Sequence, residues 1–109
     1  MQFWSRILQI EGQTLKTLDK NKKFDIVCVK ERSLVLNVHA SDKDRLVHRD
    51  EIEGACKELF KRGQITRGKI QKKYSPRNPA YVAAILSTLP GVQYSLNPII
   101  LKVYIRETK

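Results

Sequence analysis

The residues most able to do chemistry in this chain are lysines and arginines concentrated in its second half. Between Leu59 and Arg106 there is no Asp or Glu, whereas the interval holds nine basic residues. These are Lys61, Arg62, Arg67, Lys69, Lys72, Lys73, Arg77, Lys102 and Arg106. Residues 1–60 carry 11 basic and 10 acidic side chains, so residues 61–109 supply nine of the ten net positive charges. Basic groups clustered in this way neutralise phosphates, and charge confined to one half of a small protein attracts a polyanion.

Groups suited to catalysis are sparse in the same half, which contains no His and no Cys. The acids of the first half fall mostly at turns and at a helix start, where solvation and capping explain them. A common nuclease core would require an acid two residues before Lys30, and Cys28 occupies that position. His39 and His48 are interpreted as partly exposed strand residues. There is no Gly-rich phosphate loop, nucleophile elbow or zinc pattern, so we expect a protein that is not an enzyme and uses no metal or cofactor.

Length and composition indicate one domain of 109 residues with a single core. The apolar runs are much shorter than the roughly 18–20 residues of a membrane span, so we expect neither a membrane partner nor a signal peptide. Cys28 and Cys56 each lie in an apolar pattern without a second ligand at metal spacing, and both are interpreted as reduced core residues. Reduced cysteines favour a cytoplasmic location.

Short β-branched segments predict an antiparallel β unit in the first half. Residues 24–29 and 34–38 flank the polar turn 30–33, which is typical of a hairpin, and residues 45–48 predict a third strand after a second polar turn at 41–44. Residues 1–23 receive no assignment. The faces expected to point inward are Phe24, Ile26 and Cys28 on the first strand and Leu34, Leu36 and Val38 on the second.

A helical period begins at Asp50, which is predicted to be the N-cap, with Glu53 as its capping-box partner and Gly63 just after the helix end. The helix is expected over residues 50–62. Its apolar stripe consists of Ile52, Ala55, Cys56, Leu59 and Phe60.

Two more helices and a strand pair are predicted after it. Thr66 is a suitable N-cap for a helix over 67–74, with Ile65 and Ile70 as a hydrophobic staple. Asn78 as N-cap and Pro79 as first residue predict a helix over 78–89. Its expected buried face consists of Val82, Ile85, Leu86 and Leu89. Residues 92–96 and 99–105 then predict a hairpin.

Three short helices followed by a strand pair resemble the winged helix-turn-helix superfamily over residues 50–105, about half of the chain. In this resemblance residues 63–66 connect the first two helices and residues 92–105 form the wing. It implies that the third helix enters a major groove while the second helix and the wing touch the backbone. The N-terminal strands lie outside the resemblance.

The predicted site combines basic residues around the second helix with residues at the start of the third. The positions expected to face outward on the third helix are Asn78, Tyr81, Ala84, Ser87 and Thr88. Because this set contains few side chains that read bases, Arg77, Asn78 and Tyr81 are the plausible readers. The candidate nucleic-acid-binding residues are Lys61, Arg62, Arg67, Lys69, Lys72, Lys73, Arg77, Asn78 and Tyr81.

The sequence therefore predicts an α+β fold, with a small N-terminal antiparallel β unit in residues 1–48 and a winged-helix-like three-helix unit with a β-hairpin in residues 49–109. The favoured function is DNA binding, mainly through phosphate contacts, with duplex DNA favoured over RNA. One alternative is a protein-protein adaptor within a nucleoprotein assembly, which uses either the exposed strands or the third helix, where Ala80, Ala83 and Ala84 would pack on a partner or on a second copy in a homodimer. A second alternative is a small nuclease or RNA-binding toxin.

Overall fold

Residues 3–104 are described in a computed structural model of the chain, and they form an α+β structure with two antiparallel sheets, as the sequence predicts. The helices are α1 (Phe3–Leu8), α2 (Arg49–Arg62), α3 (Arg67–Lys69) with a π-helical continuation at Ile70–Tyr74, called the π segment, and α4 (Pro79–Ser87). The strands are β1 (Thr14–Lys16), β2 (Lys23–Val29), β3 (Ser33–Val38), β4 (Lys43–His48), β5 (Gln64–Thr66), β6 (Val92–Ser95) and β7 (Ile100–Val103). Within residues 3–104, no helix is both long and apolar enough to cross a membrane.

The first sheet contains β1 to β4 in chain order, each strand antiparallel to the next. The predicted hairpin is confirmed by the pairing of Phe24 with Val38. The third predicted strand is confirmed as β4, although it begins at Lys43, so the polar turn before it ends earlier than expected. Val47 is the only buried residue of β4, as suits an edge strand.

A β-bulge corrects the predicted inward face of β2. Ile26 pairs with Leu36 whereas Cys28 pairs with Val35, so one extra residue is inserted between them. As a result Val29 is buried at the end of the strand and Cys28 is only half-buried. The prediction of Cys28 as a core residue is therefore wrong, because a bulge reverses the alternation of side chains beyond it.

Residues 3–10 cover one end of the sheet with α1 and the turn that follows it. Trp4, Ile7 and Ile10 are buried, and Trp4 Nε1 donates a hydrogen bond of 2.7 Å to the carbonyl oxygen of Lys30. The Arg49 guanidinium lies 5.0 Å from the centre of the Trp4 ring. The N-terminal helix is thereby attached both to the sheet and to the start of α2.

The long helix α2 begins at Arg49, one residue before the predicted range, and its N-cap is His48, two residues before the predicted Asp50. Glu51 Oε2 accepts the His48 backbone N–H at 2.9 Å, while Glu53 pairs with Arg49 instead of capping the helix. Gly63 ends the helix as predicted, with φ of 85°. The predicted stripe is buried except for Phe60, which is half-buried.

The second sheet has the order β5-β7-β6, with both pairings antiparallel. The predicted C-terminal hairpin is confirmed in β6 and β7, which are shorter than expected, and Ile105 and Arg106 lie outside the described residues. The prediction of a plain connection at residues 63–66 is wrong, because Gln64–Thr66 form β5 with Ile65 buried. A strand of three residues is too short to show an alternating pattern.

The two shorter helical regions keep their predicted positions but differ in character. Thr66 caps α3 as predicted, since its Oγ1 accepts the Lys69 backbone N–H at 3.1 Å. From Ile70 onward the chain widens into the π segment, where the Ser75 N–H bonds to the Ile70 carbonyl at 2.7 Å. Asn78 and Pro79 begin α4 as predicted, although the Asn78 side chain makes no capping bond.

The helix α4 is buried on almost every side. Its predicted buried face is confirmed, and Ala83 and Ala84 are buried as well, with exposures of 0% and 2%. The prediction that Ala84 faces outward is therefore wrong. Tyr81 packs edge-on against Phe24 of β2, with ring centres 5.1 Å apart, so the first sheet covers a side of the helix that was expected to be open.

Candidate nucleic-acid interface

One buried carboxylate organises part of the basic region. Glu58 of α2 is 6% exposed. Tyr74 Oη donates a hydrogen bond of 2.5 Å to its Oε1, and Lys69 Nζ lies 2.9 Å from its Oε2. Lys73 Nζ lies 3.5 Å from Oε1. Glu58, Lys69, Lys73 and Tyr74 are called the Glu58 cluster, and they fasten α3 and the π segment to α2.

The electrostatics of this cluster stabilise the charged carboxylate. The hydrogen bond from Tyr74 and the ammonium group of Lys69 lower the pKa of Glu58 to about 2, against the opposing effect of burial. The same bond to Glu58 raises the pKa of Tyr74. At neutral pH the glutamate is therefore ionised and the tyrosine is a donor.

The π segment brings the Tyr74 ring directly onto α2. A Cβ atom added at Gly54 would lie 2.7 Å from Tyr74 Cδ1, so the ring occupies space that only glycine leaves free. Farther along, Ser75 Oγ donates a hydrogen bond of 2.6 Å to Glu51 Oε1 near the start of α2. The wide turn thus lets two successive side chains reach two glutamates on one helix.

Further cations flank the Glu58 cluster along the chain, at the end of α2, in the π segment and on β7. Arg62 and Lys69 border a cleft of about 310 Å³ together with Gln64, and Gln64 pairs with Lys102 across β5 and β7. Lys61 precedes Arg62 in the last turn of α2. We define the basic face as Lys61, Arg62, Lys69, Lys72, Lys73 and Lys102.

Four members of the basic face are free to contact a ligand. Lys61, Arg62, Lys72 and Lys102 are exposed, and none of them forms an ion pair with another residue between 3 and 104. Glu58 therefore pairs with only two of the six cations, Lys69 and Lys73, among the described residues. Phosphate oxygens are the natural partners of such a surplus.

Arg77 lies apart from the basic face. It borders a cleft with Leu46, His48 and Glu51, at the opposite end of α2 from Arg62. Arg62 lies eleven positions after Glu51, a rise of about 16 Å along the helix axis. The predicted group of basic residues is therefore divided between two ends of α2.

Asn78 and Tyr81, the two predicted readers on α4, lie in the seam between α4 and the first sheet. Asn78 is 6% exposed, and its Oδ1 accepts a hydrogen bond of 3.3 Å from Arg45 Nη1. The Arg45 guanidinium also lies 5.4 Å from the centre of the Tyr81 ring. Both side chains are engaged with β4 rather than presented on an open helix face.

Arg67 is half-buried at the same seam, away from the lysines of α3 and the π segment. Its Nε is buried and has no hydrogen-bond partner among the described residues. Together with Tyr81 it lines a cavity that also contains Lys20 and Lys22 of the turn between β1 and β2. Sequence reasoning missed these two lysines, whose only signal was a short basic run in a polar connection.

Sequence reasoning also missed Glu58, because it lies one residue ahead of the interval without acids. Its signal is its position beside the apolar stripe of α2, next to Leu59.

Elsewhere, burial raises the pKa of Cys56 to about 11, so its thiol is a poor nucleophile at neutral pH. No group of three or more His, Cys, Asp or Glu within residues 3–104 is arranged to hold a metal ion.

Comparison of the chain with protein-family models, with curated proteins and with solved structures found no match.

Proposed function

We propose that this protein binds duplex DNA through phosphate contacts made by the basic face. The observation that carries the proposal is the surplus of exposed cations around one buried carboxylate, on a stretch of chain that has no other acid up to Tyr104. When exposed lysine and arginine side chains neutralise DNA phosphates, counterions condensed on the DNA are released. This release drives binding whatever the base sequence of the DNA.

The Glu58 cluster supports this proposal by limiting the freedom of two of the cations. Lys69 and Lys73 are held against Glu58, so less side-chain entropy is lost when a phosphate meets them. Each is still partly exposed, with 41% and 57% of the side chain accessible. The carboxylate thus positions these ammonium groups without removing them from the surface.

The order of elements from α2 to β7 also supports the proposal. A helix, two shorter helical regions and a terminal hairpin follow one another as the resemblance to winged helix-turn-helix proteins implies. We assign no base reading to α4, however, because β2 and β4 cover its first turn at Tyr81 and Asn78. The contacts we propose are therefore positioning contacts of low sequence specificity.

The adaptor alternative receives less support. Ala83 and Ala84 are buried within this chain, so they offer no small-residue face to a second protein.

Cys28 and Cys56 are free thiols, which favours action in the cytoplasm.

The proposal is tested by a triple variant, Lys61→Gln, Arg62→Gln and Lys72→Gln. All three side chains are exposed and outside the Glu58 cluster, so folding should be unaffected. Anisotropy titrations with a fluorescent duplex over a series of salt concentrations measure the slope of log affinity against log salt. Loss of three phosphate contacts should reduce this slope by about three.

A matched control removes the same charge elsewhere on the surface. Lys16, Lys30 and Lys43 are exposed on the first sheet and its turns, and none is in an ion pair with a residue in the described range. Their triple replacement by Gln should leave the salt slope close to that of the parent. Equal losses in the two triple variants would show that only net charge matters, and the assignment of the basic face would be wrong.

A further inference from the structure

A cavity of about 240 Å³ lies where the first sheet meets α3 and α4. The turn between β1 and β2 contributes Thr17, Asp19, Lys20 and Lys22 to its lining, and the helices contribute Arg67 and Tyr81. The cavity is separate from the basic face, whose members do not line it. Its chemistry is set by three cationic side chains, two from this one turn and the third, Arg67, from a distant part of the chain.

The turn that carries the two lysines is held in a fixed shape. Thr17 is 3% exposed, and its Oγ1 accepts the Lys22 backbone N–H at 3.0 Å. The Thr17 N–H in turn bonds to the Lys22 carbonyl at 3.0 Å, and Asn21 adopts a positive φ of 54°. The backbone that positions Lys20 and Lys22 is therefore ordered by its own hydrogen bonds.

Arg67 provides the observation that points to a ligand. The Nε atom of its guanidinium is buried and lacks an acceptor among residues 3–104. A buried donor on a charged group is costly when it has no partner, and native structures rarely leave one unexplained. Because Arg67 also lines the cavity, an anionic oxygen bound there would be attracted by the charge of its guanidinium.

The charge of the lining indicates what kind of anion fits. Lys20, Lys22 and Arg67 form no ion pair with other described residues, and Asp19 is the only acid in the lining. The surplus is two positive charges. A phosphate monoester carries about −1.5 to −2 near pH 7, whereas a backbone diester carries a single charge and has chain on both sides.

The start of α4 borders the same cavity. Ala80 and Tyr81 line the cavity as the second and third residues of this helix of nine. Pro79 has no N–H, and the Asn78 oxygen that would ordinarily cap the helix accepts from Arg45 instead. The backbone N–H groups of the first turn thus remain at the positive end of the helix dipole.

We propose that this cavity binds a phosphate monoester, with the terminal phosphate of a nucleic-acid strand as its source. The choice of a strand end as the source rests on the proposed function, while the phosphate chemistry rests on the cavity alone. Binding would place a strand end at the seam, and the basic face would contact the backbone.

The test compares a duplex carrying a 5′-phosphate and a 3′-phosphate at its ends with the same duplex ending in hydroxyl groups, and adds a calorimetric titration with inorganic phosphate. The parent protein should bind the phosphorylated duplex about tenfold more tightly, as expected for one charge-assisted site. Arg67→Gln should abolish this preference and the binding of inorganic phosphate. Lys72→Gln, a control on the basic face, should weaken both duplexes and keep the preference.

The possible outcomes separate the two proposals. Binding of inorganic phosphate without any duplex binding would support the phosphate site and refute the proposed function. Equal affinity for the two duplexes together with no binding of inorganic phosphate would overturn the site, even if both duplexes bind well. Because Arg67 is half-buried, the double variant Lys20→Gln and Lys22→Gln, made on exposed turn residues, provides the same test if Arg67→Gln fails to fold.

Discussion

Replacing Glu58 by Gln isolates the charge that holds the basic face together. The substitution preserves the size of the side chain and leaves an acceptor for Tyr74, but it removes the attraction to Lys69 and Lys73. The pKa of Glu58 is lowered from 4.5 to about 2. At 1.36 kcal/mol per pKa unit this difference corresponds to about 3 kcal/mol of folding free energy at neutral pH.

Solvent reduces that value. The two lysine side chains are 41% and 57% exposed, so water screens their attraction to the carboxylate. We therefore expect Glu58→Gln to lower the free energy of unfolding by about 2 kcal/mol near pH 7. Urea unfolding followed by circular dichroism measures this difference, provided that the unfolding free energy falls with urea concentration at the same rate in both proteins.

The pH dependence provides the sharper result. A carboxyl whose folded pKa is lowered stabilises the protein above its unfolded pKa, and this contribution is lost as pH falls through the folded pKa. The gap between parent and variant should be constant above about pH 5.5 and should shrink between pH 4.5 and about 2. Glu53→Gln on the same helix is the control, because the Glu53 side chain is 28% exposed and its ion-pair partners within residues 3–104 are only Arg49 and Lys57.

For the control variant Glu53→Gln we expect the free energy of unfolding to fall by less than about 1 kcal/mol. A loss below about 0.5 kcal/mol for Glu58→Gln, or a gap that stays the same down to about pH 2.5, would refute the buried ionised cluster.

Two further pairs of substitutions test the packing around the site. Gly54→Ala should destabilise the protein by about 1–2 kcal/mol in urea unfolding, because the new Cβ would lie 2.7 Å from Tyr74 Cδ1. Gly68→Ala, whose nearest atom is 4.0 Å away, should instead stabilise it by about 0.5 kcal/mol, and effects of the same sign would contradict this packing. Tyr81→Ala should cost about 2 kcal/mol in thermal unfolding because the ring packs on the first sheet, whereas Tyr94→Ala, 50% exposed on β6, should cost less than about 1 kcal/mol. Similar costs for the two tyrosines would show that α4 is not covered by the sheet.

Patterns that are local and regular in the sequence predicted their elements correctly. The 3.6-residue period of Val82, Ile85 and Leu86 identified the core side of α4, and Thr66 and Gly63 marked helix ends because capping depends on neighbouring residues. The burial of Ala83 and Ala84 could not be predicted from the sequence, because alanine is common both on protein surfaces and in protein cores.

The parts that sequence reasoning missed depend on contacts between distant residues. Tyr74 and Glu58 are 16 positions apart, and nothing in the chemistry of either predicts that a π segment will join them. Lys22 lies just before β2 of the first sheet, and Arg67 lies just after β5 of the second sheet. The two residues come together only at the cavity beside α4. The sequence therefore provided the candidate residues, but their division into a basic face, a separate Arg77 and a seam required the folded chain.

The most direct measurement of the central claim is the affinity of the full chain for a short duplex, a single strand and an RNA at about 50 mM and about 200 mM salt. We expect duplex DNA to bind best at the lower concentration and to lose at least about a hundredfold in affinity at the higher one, which is the loss that phosphate contacts by the four unpaired cations of the basic face alone would produce. Absence of duplex binding at low salt, or an affinity that is unchanged by salt, would contradict phosphate binding by this surface.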